Sequence, residues 1–171
     1  MTESPAYHRE ETRILQGPVL VGVAPGQRAV VLDQAAALAS AAMLPLVCAF
    51  VDVTVYPVDG TTGGQMAPID PDGVDEDAEL IPRSLQDAVS SQLQNKGIDW
   101  SLVPLAGEPA HALARHGAEI GASLIVVGAR EQKLGSAIKE LTGGSVARQL
   151  LHRQDRPVLV VPVDPRVPDE Q

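Results

Sequence analysis

Aromatic residues are scarce in this chain, making up 2% of its 171 residues. A core with so few rings has to be filled by Val, Leu, Ala and Ile, which suits an α/β sheet better than an aromatic-rich β-sandwich. Cys48 is the only cysteine, so the chain forms no internal disulfide. It lies in an apolar run that predicts a buried strand, and a buried thiol is a poor nucleophile.

Positive charge is also in short supply. The chain has 13 Lys and Arg against 22 Asp and Glu, which gives a formal net charge of −9. Because this charge repels a phosphate backbone, we expect no nucleic-acid partner. No apolar run approaches the length of a membrane span, and residues 1–13 lack the apolar stretch of a signal peptide. We therefore expect a cytoplasmic protein with no membrane partner.

Motifs of catalytic and metal sites are missing as well. The chain has no Gly-x-Ser-x-Gly, no Gly-x-Gly-x-x-Gly and no Walker-type phosphate loop. His111 and His116 are five residues apart, a spacing that does not place two zinc ligands on one helix face. The acidic run 75–79 lacks the ligand spacing of an EF-hand. We expect a protein that is not an enzyme and has no catalytic or metal site.

Apolar runs alternate with helical patterns along the chain. The runs are continuous rather than alternating, which is typical of parallel strands buried on both faces. Helices are predicted from about Gln27 to Met43, from about Pro82 to Lys96, from Gly107 towards Gly121, and after Ser145. The five predicted strands are Pro18 to Val23, Leu46 to Val51, Asp99 to Leu105, Leu124 to Val127, and Val158 to Val161.

The stretch from Leu124 to Val163 is the most informative part of the chain. A strand ends at Gly128, and Thr142-Gly143-Gly144-Ser145 then precedes an apolar face at helical spacing. Ser145 is a plausible N-cap, and the glycines give a ligand access to the N–H groups of the first turn. A helix start beside the carboxyl ends of parallel strands is a natural phosphate site.

This order of elements resembles the universal stress protein family. The matching motifs are a strand ending in Gly128, the helix start Gly144-Ser145-Val146, and the Arg-Pro-Val-Leu-Val-Val strand near the end. The resemblance implies an α/β fold: a doubly wound, open, parallel five-stranded sheet of order 3-2-1-4-5, similar to the adenine nucleotide α-hydrolases. It covers nearly the whole chain. The expected domain is 17–164, between a polar tail at 1–16 and a tail at 165–171, with an acidic Gly/Pro-rich insertion loop at 56–79.

The resemblance also implies an adenine-nucleotide site where the first and fourth strands end. In that reading the first-strand turn and Val51 flank the adenine and ribose, and Gly128 passes close to the ribose and phosphates. The helix start cradles the phosphates, with Arg130 adding a contact to an anion. ATP, with Mg²⁺, is the implied ligand. The implied site residues are Val23, Ala24, Pro25, Val51, Gly128, Arg130, Gly144, Ser145 and Val146.

Three features depart from the family pattern. Ala24 stands where the family usually has a first-strand aspartate, and Glu131 stands at the second-glycine position. Fifteen residues separate Gly128 from Gly144, where the family has twelve. An alanine cannot accept a hydrogen bond from a ribose hydroxyl or adenine amine, and Asp52 is a candidate substitute acceptor.

Two functions therefore remain open. The first is a non-enzymatic ATP-binding protein of the stress response. The second is a ligand-free dimeric module that docks an unknown partner protein through the acidic loop. An enzyme of the α-hydrolase group is disfavoured, because no Ser-Gly-Gly-type phosphate loop follows the first strand. Family members commonly pair their last strands, so a homodimer through Val158 to Val161 is expected.

Overall fold

The computed structural model describes residues 15–58, 66–69, 79–129 and 146–163. Strands and helices alternate through these ranges, apart from one short hairpin that follows the second strand. The strands are β1 (Val19–Val23), β2 (Leu46–Asp52), β3 (Val55–Pro57), β4 (Met66–Pro68), β5 (Trp100–Ala106), β6 (Leu124–Ala129) and β7 (Val158–Pro162). The helices are α1 (Ala29–Ala42), α2 (Arg83–Leu93), α3 (Pro109–Glu119) and α4 (Val146–Arg153).

The main sheet has five strands in the order β5-β2-β1-β6-β7, and every pairing in it is parallel. Counted along the five predicted strands, this is the order 3-2-1-4-5, so the predicted fold class is confirmed. Each crossover runs through a helix, as parallel pairing requires. The order reverses between β1 and β6, and that reversal places a crevice at the carboxyl ends of the central strands.

Helices cover both faces of the sheet. Val19, Val21 and Val23 of β1 pack on the face covered by α1 and α2. Leu20 points to the other face and packs with residues of α3 and α4. Strand residues alternate between two apolar layers in this way, which explains why β1 reads as a continuous apolar run. Cys48 is fully buried, as predicted, and burial raises the pKa of its thiol to about 12.

The segment 56–79 differs from the predicted loop. Residues 55–57 and 66–68 pair as the antiparallel hairpin β3–β4. Each strand of the hairpin is only three residues long and ends in a proline. Proline and glycine have low strand propensity, so the many prolines and glycines of this segment predict a loop and not a hairpin. The acidic residues 70–78 lie outside the described residues.

Helix α1 begins later than predicted, at Ala29 rather than Gln27. The backbone N–H of Gln27 instead donates to the carbonyl of Ala24 and closes a tight turn over Pro25 and Gly26. Gly26 has a φ of +69°, which favours glycine at that position. The turn sends the chain from the end of β1 back over the sheet. Among the helices within the described ranges, none is long and apolar enough to cross a membrane.

Candidate functional site

The candidate site lies where β1 and β6 separate. Strand β1 pairs with β2 as far as Val23 and Phe50, but it pairs with β6 only as far as Val21 and Val126. Beyond that point the sheet has no ladder hydrogen bonds between its two central strands. The Gly22 carbonyl and the Ala24 N–H therefore form their hydrogen bonds with the Gln27 side chain instead of with β6.

A cavity of about 210 Å³ opens at this crevice. It brings together five of the nine predicted site residues: Val23, Ala24, Val51, Gly128 and Val146. Residues from β1, β2, β6, α3 and α4 therefore meet at one place. The remaining lining residues in the described part of the chain are Gly22, Gln27, Ala49, Pro109, Leu113 and Val127.

The other predicted residues divide into two groups. Pro25 lines a second cavity, of about 130 Å³, between the β1–α1 turn and α2. Arg130, Gly144 and Ser145 lie outside the described residues.

Asp52, the candidate substitute acceptor, does not line the 210 Å³ cavity. Its Oδ1 accepts hydrogen bonds from the backbone N–H of Thr54 at 2.8 Å and from the Thr54 hydroxyl at 2.6 Å. The side chain stabilises the turn into β3, and the cavity obtains no polar group from it.

Packing explains why residue 128 is a glycine, whether or not a ligand binds beside it. A Cβ at this position would lie 2.9 Å from Cγ2 of Val31 and 3.2 Å from Cγ1 of Val163. Both contacts are closer than side chains normally allow, so α1 approaches β6 only because residue 128 has no side chain. The glycine thus brings the helix close to the crevice.

Gln27 is a lining residue that the sequence analysis missed as a site residue. Its Oε1 accepts a hydrogen bond from the backbone N–H of Ala24 at 2.9 Å, and its Nε2 donates to the carbonyl of Gly22 at 3.3 Å. It is the one polar side chain among the described lining residues of the 210 Å³ cavity. The only sequence feature that could have identified Gln27 is its position directly after the Pro25-Gly26 turn.

Two helices begin beside this cavity, and they differ electrostatically. At the start of α3, the carboxylate of Glu108 accepts hydrogen bonds from the N–H groups of Ala110 at 3.0 Å and His111 at 2.9 Å. Pro109 has no N–H, so the first N–H groups of α3 are taken and an adjacent carboxylate repels anions. Helix α4 begins at Val146, which lines the same cavity.

The sequence matches a family model over most of its length. The model of the universal stress protein family matches residues 17–162. A curated relative, the universal stress protein YxiE of Bacillus subtilis, is 41% identical over 66 residues. This match covers 39% of the chain and 43% of the relative, so the chain spans less than half the length of that relative.

Solved structures share the fold. A universal stress protein from Archaeoglobus fulgidus aligns with a TM-score of 0.60 at 21% identity, over 85% of this chain and 98% of that one. The universal stress protein from Archaeoglobus fulgidus in complex with dAMP aligns with a TM-score of 0.57 at 20% identity. That alignment covers 86% of this chain and 98% of the other. At these identities the likeness establishes the fold.

Proposed function

This chain belongs to the universal stress protein family, and from that premise we propose that it is a non-enzymatic adenine-nucleotide-binding protein of the stress response, with ATP as its ligand. The described site residues form an apolar cavity without a nucleophile or a general base. Such a cavity suits binding without turnover.

One observation carries this proposal. The 210 Å³ cavity lies at the point where the strand order reverses, and it gathers Val23, Ala24, Val51, Gly128 and Val146 from four parts of the sequence. Ligands of doubly wound sheets bind at this point. The related fold of the Archaeoglobus fulgidus protein in complex with dAMP supports an adenine nucleotide as the ligand.

The phosphates would lie at the start of α4. The N–H groups at the start of α3 are occupied by Glu108, whereas α4 begins at Val146 on the cavity itself. Gly144, Ser145 and Arg130 are the residues proposed to hold the phosphates, with Mg²⁺ accompanying ATP.

Calorimetric titration of the purified protein with ATP and Mg²⁺ tests the proposal, after a spectroscopic check that no nucleotide has co-purified. We expect micromolar binding. Val146→Phe places a larger side chain at the cavity and should abolish it. Leu151→Phe places the same aromatic ring on the same helix at a residue that is 64% exposed, and it should bind like the wild type.

A second pair of substitutions examines the phosphate end. Ser145→Ala combined with Gly144→Val should abolish binding while the melting temperature stays near that of the wild type. If the double variant binds ATP as the wild type does, the phosphate assignment is wrong.

The alternative function is a ligand-free interaction module. The exposed apolar residues Val53, Tyr56, Val58 and Ile69 around the β3–β4 hairpin favour it, since their exposed fractions range from 49% to 64%. The acidic segment that follows Ile69 would then contribute to partner docking. No heat, no thermal shift and no co-purified nucleotide would favour this alternative over ATP binding.

We also propose a homodimer formed through the last strand. β7 is the outer strand next to β6, and Leu159 and Val160 on it are 36% and 39% exposed. Pairing of two such edges would cover an apolar strand that is otherwise open to other chains. The cytoplasmic location expected from the sequence stays a prediction.

A further inference from the structure

Gln27 is the polar side chain in the described lining of the 210 Å³ cavity. Apart from Gln27, the described residues around the 210 Å³ cavity offer glycine, proline or aliphatic side chains. An apolar ring suits such a lining, and among its described residues only Gln27 offers a side-chain partner to a ligand's polar atoms. In the proposed function, the apolar ring is a purine base.

The backbone fixes the orientation of the Gln27 amide. The N–H of Ala24 can only donate, and it meets Oε1 at 2.9 Å. The carbonyl of Gly22 can only accept, and it meets Nε2 at 3.3 Å. Reversing the amide would place two donors together and two acceptors together, so the turn selects one orientation.

Each end of this amide keeps one unused capacity. A carboxamide oxygen has two lone pairs and the nitrogen has two N–H groups, and the turn uses one of each. The amide also lies beside β6, because a Cβ on Gly128 would be 3.3 Å from Nε2. The remaining lone pair and the remaining N–H point away from each other, so a planar base can meet only one of them, and Oε1 keeps a fixed place as an acceptor at the gap between β1 and β6.

We propose that Gln27 recognises the adenine base by accepting a hydrogen bond from its 6-amino group through the remaining lone pair of Oε1. This role rests on the proposed function, and it gives the cavity the polar contact that Ala24 cannot make.

The test compares two ligands and three proteins by calorimetry. The ligands are AMP and purine riboside 5′-monophosphate, which is AMP without its 6-amino group. Wild type should bind AMP roughly fivefold to tenfold more tightly than the analogue, as expected for one hydrogen bond. Gln27→Met keeps the length of the side chain but removes both polar ends, and it should bind the two ligands equally, within about twofold.

Gln92→Met is the matched control. Gln27 lines both cavities, whereas Gln92 lines the second and not the 210 Å³ cavity, and its Nε2 donates to the carbonyl of Ala29 at 2.7 Å. This variant should keep the wild-type preference for AMP. If it loses the preference as Gln27→Met does, the ligand lies in the second cavity and the assignment of Gln27 is wrong.

A further variant at the same position is available if Gln27→Met does not fold. Gln27→Glu retains an acceptor for the amine but loses the N–H donated to the Gly22 carbonyl, so it should bind more weakly while still preferring AMP. Wild type that binds both ligands equally, or Gln27→Met that keeps the preference, would overturn the inference and leave nucleotide binding intact. Wild type that binds no adenine nucleotide would overturn the proposed function itself.

Discussion

Gly128 on β6 lies against Val31 on α1 at a separation that leaves no room for a methyl group, since a Cβ at residue 128 would be 2.9 Å from Val31 Cγ2. Val31 is fully buried and sits in the apolar layer between α1 and the sheet. The glycine at the end of β6 therefore has a packing role that is independent of any ligand.

Gly128→Ala should lower the free energy of unfolding by about 1–3 kcal/mol, because overpacking forces α1 away from β6. Urea denaturation measures the change. The double variant with Val31→Ala removes the clashing methyl, so its loss should be smaller than the sum of the two single losses. Additive losses would show that the two residues are not in conflict.

Most of the fold could be predicted from the sequence because buried parallel strands leave an unambiguous pattern. Continuous apolar runs such as 19–23 and 124–127 have no amphipathic face and are separated by helical patterns. The β3–β4 hairpin could not be predicted, since three-residue strands ending in proline carry almost no periodic signal.

The candidate site could be predicted only for those residues whose places follow from the order of strands and helices along the chain. Val51 and Gly128 meet because the carboxyl ends of parallel strands share one edge of the sheet, and Val146 joins them as the first residue of α4. Gln27 could not be found in this way, because its position depends on its hydrogen bonds to Ala24 and Gly22. These hydrogen bonds depend on the geometry of the turn, which the spacing of residues in the sequence does not predict.

His116 on α3 makes stability depend on pH. Its side chain is only 12% exposed, and neither ring nitrogen has a hydrogen-bond partner among the described residues. Burial lowers the pKa of His116 below its ordinary value of 6.5, although Glu119, 3.6 Å away, opposes the shift. Because the unfolded chain protonates first, the free energy of unfolding should fall as the pH drops through 6.5 towards the folded pKa.

Two variants separate this effect from general acid sensitivity. His116→Leu should flatten the dependence of urea midpoint on pH in that window. Glu119→Gln removes the carboxylate that favours the protonated ring, so it should steepen the dependence. An unchanged slope in His116→Leu would show that other groups cause the pH effect.

Cys48 should be unreactive in the folded protein. Its pKa of about 12 leaves almost no thiolate at neutral pH, and the side chain is fully buried. We expect no labelling by a thiol reagent in buffer and one equivalent in urea, read by absorbance. Leu151→Cys adds a thiol at an exposed residue and should give one equivalent without urea. Rapid labelling of the native wild type would contradict the burial of β2.

The dimer proposal makes the exposed residues of β7 the decisive ones. Two neighbouring apolar side chains there, Leu159 and Val160, gain from burial if a second copy pairs along the strand. Light scattering should give the mass of a dimer for wild type. Replacing both with lysine (Leu159→Lys and Val160→Lys) places like charges on the two edges that would pair. This double variant should be a monomer, because lysines on edge strands prevent strand pairing. Leu151 on α4 is also apolar and is more exposed than either residue of β7. The Leu151→Lys variant should remain dimeric. A dimer that survives the change on β7 and dissociates with the change on α4 would place the interface on the helical face.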